Sequence, residues 1–100
     1  MDESQKKIRY DSAVGRQLED GKRFMKSNNF EKAMKLFQEC VKKESDNIEA
    51  LYLLGVSAFH LEDYEESIKS LTAVLLREDH FRKNVYLFLA ISYKKTNNVD

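Results

Sequence analysis

Apolar residues recur at helical spacing in five stretches of the chain. Val14, Leu18, Gly21, Phe24 and Met25 lie on one stripe, and Phe30, Ala33, Met34, Phe37 and Cys40 lie on the next. Recurrence at three and four residues is the signature of an amphipathic helix. The stretch "KSNN" (26–29) interrupts the pattern, because Ser and Asn side chains compete with the helix for backbone hydrogen bonds. The second helix is expected from Phe30 to about Lys43. "ESDN" (44–47) makes the next turn, where Asp46 or Asn47 caps a third helix over roughly Ile48 to Leu61. A fourth helix is expected from about Tyr64 to Arg77. After "EDHF", a fifth covers about Arg82 to Lys95. Residues 1–11 carry little periodicity and are expected to form an arm or an outward extension of the first helix.

The same stripe returns along the chain. Gly21 and Gly55, Phe30 and Tyr64, Ala33 and Ser67, Phe37 and Leu71, and Cys40 and Val74 are each 34 residues apart. From Gly55 to Ala90, and from Tyr64 to Val99, the spacing is 35, which puts one extra residue in the linker around "REDHFRK". Small residues at Gly21, Ala33, Cys40, Gly55, Ser67 and Ala90 allow two helices to approach closely. Phe24, Phe30, Phe37, Tyr64 and Leu71 fill the space between them. A helix pair of this kind cannot bury its apolar face alone and needs its neighbours.

The stretches "LEDGKRF…FEKAMKLFQEC", "LYLLGVSAF…YEESIKSLTAV" and "YLFLAISY…V" resemble the tetratricopeptide repeat (TPR), a helix–turn–helix unit of ~34 residues. The resemblance covers about residues 14–100. It implies an all-α fold, a right-handed α-α superhelix of five helices in antiparallel pairs. The units are an arm at 1–13, a first repeat at 14–47, a second at 48–82, and the first helix of a third at 83–100. Some slots depart from the family pattern. Gln17 and Leu51 replace the usual Trp, and Ala58, with Phe59 beside it, takes an aromatic slot. Ser45 and Asp79 stand where a proline usually ends the repeat, so softer linkers are expected.

Composition narrows the function. Seventeen basic residues balance seventeen acidic ones, so no nucleic-acid partner is expected. The apolar runs "ALYLLGVSAF" and "VYLFLAISY" are too short to span a bilayer, so no membrane insertion is expected. One cysteine, no glycosylation sequon and a charged N-terminus point to a reducing, cytoplasmic setting. No catalytic constellation is visible, so the chain is not expected to be an enzyme. Cys40 shares a packing slot with Val74. His60 and His80 lack partners at metal-ligand spacing, so neither a metal nor a cofactor is expected. The acidic run Glu62, Asp63, Glu65 and Glu66 suits a helix start better than a calcium loop, which needs alternation and a glycine.

The resemblance also implies a concave groove lined by the first helices of successive units. The groove residues expected are Leu18, Lys22, Met25 and Lys26, then Tyr52, Val56, Phe59 and His60, then Leu87, Ile91, Lys94 and Lys95. The third helix is apolar almost all round, which leaves Tyr52, Val56 and Phe59 either for a ligand or for closing a tight superhelix. Chaperone-binding members of the family grip acidic tails with a carboxylate clamp. Its places fall here on Leu18, Lys22, Leu53, Asn84 or Lys83, and Phe88 or Leu87, and most of its polar residues are missing. The expected partner is therefore a protein or peptide held by apolar anchors and lysines without that clamp. The alternative is an assembly role, in which the uncovered edge of the third unit packs on more of a longer solenoid or, as a homo-oligomer, on a second copy.

Overall fold

The computed structural model describes residues 12–77 and 82–97. It contains five helices: α1 (Ser12–Lys26), α2 (Phe30–Lys43), α3 (Ile48–His60), α4 (Tyr64–Arg77) and α5 (Arg82–Asn97). The described residues contain no strand. Each helix packs on the next in sequence, and α3 also touches α5. This is the all-α arrangement of antiparallel helix pairs that the repeat implies. Two boundaries differ from expectation. The third helix stops at His60, because Leu61 already occupies its C-cap, and the fifth runs on to Asn97. The arm over 1–11, the extra linker residue with Asp79 and His80, and the final Asn98, Val99 and Asp100 lie outside the described residues.

Local chemistry explains the turns. The Asn29 side chain accepts a hydrogen bond from the Lys32 amide at the start of α2. At the start of α3 Asn47, and not Asp46, accepts one from the Ala50 amide at 3.0 Å. The Asp63 carboxylate does the same for the Glu66 amide of α4. Each satisfies one of the orphan donors of a helix N-terminus. Inside the pairs, the second residue after the first helix swings left-handed: Asn28 has φ 61° and Glu62, 34 positions on, has φ 64°. Asn tolerates that region, whereas Glu gains nothing there.

The core has two centres. Val14, Leu18, Ala33, Phe37, Cys40, Ala50 and Leu54 form one, and Leu51, Leu71, Val74, Val85 and Leu89 form the other. Half-buried Val41 packs against both and links them. Glycine seats set the depth of each pair. A Cβ at Gly21 would stand 2.4 Å from Phe37 Cε1, and one at Gly55 would stand 2.6 Å from Leu71 Cδ2. Phe37 and Leu71 are fully buried. Burying such a side chain contributes about 1.5–3 kcal/mol.

The seats give a stability contrast. Gly21→Ala is expected to destabilise the chain by about 1–2 kcal/mol, as overpacking outweighs the gain in helix propensity. Gly15→Ala, whose Cβ would meet nothing within 4 Å, is expected to stabilise it by about 1 kcal/mol. Urea unfolding followed by circular dichroism measures both, and equal signs would refute the glycine-seat account. By the same assay Glu62→Asn is expected to stabilise the chain by about 0.5–1 kcal/mol, since it relieves the left-handed strain.

Candidate protein-interaction site

The first helices α1, α3 and α5 carry the residues expected to form the groove, and the structure treats those residues unequally. Leu18 and Val56 are buried, at 7% and 8% exposure, and offer little surface to a ligand. Leu18 packs in the core centre with Phe37 of α2. Met25 and Tyr52 are half-buried and pack against the two core centres. Lys26, His60, Leu87, Lys94 and Lys95 are exposed, and Ile91 is half-buried.

Lys22 is already engaged. Its Nζ lies 2.6 Å from Glu49 Oε2 on α3 and 3.4 Å from Glu19 Oε2 on its own helix. The hydrogen bond with Glu49 raises the Lys22 ammonium above the usual lysine range, against the opposing effect of desolvation. The pair stitches the first helix of one unit to the first helix of the next. Both side chains are more than a third exposed, so its contribution to stability is that of a surface pair, at most about 1 kcal/mol.

Phe59 is the centre of a ring cluster. Its ring meets Phe88 of α5 at 4.8 Å and Tyr64 of α4 at 5.8 Å, both edge-on. Beside it, His60 stacks on Phe30 at 4.3 Å with the planes 13° apart. Of the two roles open to Phe59, this packing is the one that closes successive units on each other. Sequence spacing gave no sign of Phe88 as its partner, because the two residues are 29 positions apart and lie on different units.

Charge is divided along the molecule. At one end Glu19, Glu44, Asp46 and Glu49 ring a hollow of about 510 Å³ whose apolar lining is Val14, Leu18 and Ile48. At the other end of the first helices Lys26, His60 and Lys95 occupy the same slot of α1, α3 and α5, with Lys94 next to the last. Lys26, Lys94 and Lys95 form no ion pair with another described residue. A second hollow, of about 610 Å³, runs between α2 and α4 over Leu51 and Leu54.

Cys40 is fully buried, with its Sγ 3.8 Å from the Val14 carbonyl oxygen. Burial pushes its thiol up, away from the reactive thiolate. Among the described residues no three His, Cys, Asp or Glu side chains gather as metal ligands. Nor is any helix there long and apolar enough to cross a membrane.

A family model described as "Anaphase-promoting complex, cyclosome, subunit 3" matches residues 21–74. This is a family of TPR-type repeats. The match runs from the first glycine seat, Gly21, to the last buried slot of α4, Val74. No solved structure matches the chain.

If Phe59 holds units together, its loss should register without any ligand. Phe59→Leu is expected to lower unfolding stability by about 1–2 kcal/mol, through lost ring pairing. Phe88→Leu should do the same, and the double variant should fall short of the sum. Additive effects in urea unfolding would refute the contact as an energetic unit.

Proposed function

The chain belongs to the family of anaphase-promoting complex, cyclosome, subunit 3, and from that premise we propose that it is a scaffold segment of a protein assembly which holds a partner peptide along its concave side. TPR-type families supply protein–protein interaction scaffolds and are typically non-enzymatic. One observation carries the finer reading. The slot at the end of each first helix is basic on all three helices, as Lys26, His60 and Lys95, and the two lysines lack ion pairs with described residues. One to two turns back from this row along α3 and α5 lie the partly accessible apolar groups Tyr52 and Ile91 and the exposed Leu87. An extended peptide bearing acidic and apolar residues in alternation fits that lining. Its carboxylates meet the lysines and its apolar side chains meet Leu87 and Ile91. A chaperone-type clamp is not part of this reading. Leu18 is buried, Lys22 is held by Glu49, and Phe88 packs on Phe59.

Basic side chains at a helix C-terminus also complement the helix dipole, worth about 0.3–1 kcal/mol each. Stability is therefore measured beside capture. In a quantitative pull-down from cells, Lys26→Glu with Lys95→Glu is expected to reduce partner recovery roughly tenfold and to steepen its salt dependence. Thermal midpoints should drop only slightly. Unchanged partners at unchanged yield would refute groove binding through the basic row.

A further inference from the structure

The second helices α2 and α4 part over α3. The cleft between them holds about 610 Å³, with Leu51 and Leu54 of α3 at its base and Val41 and Ala73 on its walls. That volume lies in the usual range of a ligand site, about 300–1,000 Å³. Leu51 is 6% and Leu54 4% exposed, so the open part of the floor is small. The lining runs from Lys35 to Lys42 on α2 and from Glu66 to Ala73 on α4. Such a stretch of helix is about 10 Å long. The groove proposed above is carried by the first helices, whereas this cleft opens between the second ones.

The rim of the cleft is positive although the chain as a whole is neutral. Lys35 and Lys42 of α2 and Lys69 of α4 are exposed and form no ion pair with another described residue. The carboxylates of the rim are already in use. Glu39 accepts from Gln17 Nε2 of α1 at 2.7 Å, and Glu66 accepts from the Ser70 hydroxyl at 2.8 Å. We propose that this cleft binds a short extended peptide of another protein, in which one large apolar side chain is flanked by carboxylates. The apolar side chain enters over Leu51 and Leu54. The carboxylates meet Lys35 and Lys69, which hold the same repeat position on opposite walls, 34 residues apart.

The shape selects that form of occupant. A docked helix lays a stripe of several apolar side chains into its groove, whereas two nearly covered leucines leave room for one. An extended chain rises about 3.3 Å per residue, so about three residues span the lining. The anchor then sits at the centre with an acid on each side. The lysines lie at the rim, so they act mainly on the association rate and its salt dependence. The anchor sets how long the peptide stays.

Neither further repeats nor a second copy accounts for the cleft. A repeat contacts only its neighbours along the stack, and this cleft lies within the stack, between two units that already pack on each other. It stays open whatever number of units the stack has. The turn of Leu61, Glu62 and Asp63 has the nearest chemistry among the described residues. Its three amides are bonded to carbonyls of α3, and the Asp63 carboxylate is taken by the Glu66 amide. Leu61 is only 37% exposed. A second copy would have to offer this pinned turn, and a separate peptide meets no such constraint.

The probe is a fluorescein-labelled peptide, Gly-Asp-Glu-Leu-Asp-Glu-Gly, titrated against the whole chain and followed by anisotropy. It is expected to bind saturably at one site. Lys35→Gln with Lys69→Gln should weaken binding at least tenfold and flatten its salt dependence, with the thermal midpoint of the free chain nearly unchanged. A peptide with Ser in place of its Leu, which tests the floor without altering the protein, should also bind at least tenfold more weakly. Ala73→Phe, which fills the cleft, should abolish binding. Lys26→Gln with Lys95→Gln, in the proposed groove, should leave the titration as it is. Absence of saturable binding, binding indifferent to the Lys35 and Lys69 changes, or equal binding without the leucine would overturn the proposal. Loss of binding only in the Lys26 and Lys95 variant would move the peptide to the groove and overturn it likewise. So would self-association of the free chain that Ala73→Phe abolishes in light scattering, since a second copy would then fill the cleft.

Discussion

The depth at which Phe37 and Leu71 seat against glycine governs the whole stack. Each of these side chains occupies the space where a Cβ of Gly21 or Gly55 would stand. That removes one carbon's width between paired helices. At this separation the Ser67 hydroxyl donates to the Gly55 carbonyl at 2.9 Å, so a buried polar side chain is satisfied across the pair. Ala33, in the matching slot of α2, needs no such bond and is fully buried. A small increase in separation would weaken dispersion contacts all along the stripe, because their attraction falls steeply with distance. It would also strand the serine. Packing, polar satisfaction and helix spacing thus rest on one missing methyl group per unit.

The units then stack by a different device. Within a pair, contact is aliphatic and aromatic over glycine. Between first helices, it is the Lys22–Glu49 pair at one junction and the Phe59–Phe88 rings at the next. These junctions are not equivalent, although the helices they join are. Repeat proteins tolerate this, because each unit answers only to its neighbours.

This difference decides what was legible in the sequence. Helix existence, the pairing of helices and the small slots could be read directly, since each is a matter of spacing along one helix or of recurrence at 34 residues. The cap at Asn47 was narrowed to two residues, because only the orientation of the side chain separates it from Asp46. The openness of the groove could not be read. Leu18 and Val56 share helical faces with Lys22 and Tyr52, and periodicity alone does not say where a neighbouring helix crosses. Phe59 was left with two roles for the same reason. On α5 spacing gave the helix but not its exposed side: Tyr86, Leu87, Ala90 and Tyr93 are exposed, while Leu89 turns inward.

α5 is the place where these constraints meet. It gains packing from α4 and α3, yet α1 and α3 each have a helix over the side that α5 leaves exposed. Its Ser92 hydroxyl is buried with no hydrogen-bond partner among the described residues. Ser57, in the same slot of α3, donates to the Leu53 carbonyl at 2.9 Å. An unsatisfied buried hydroxyl costs about 1–3 kcal/mol, so α5 holds its position with less margin than α3. Local stability follows such margins, and the least supported helix opens first. Yet α5 supplies Phe88 to the ring cluster, and Leu87, Ile91, Lys94 and Lys95 of the proposed groove sit on it. A peptide held along the proposed groove would favour the ordered α5 by as much as the order of α5 favours the peptide.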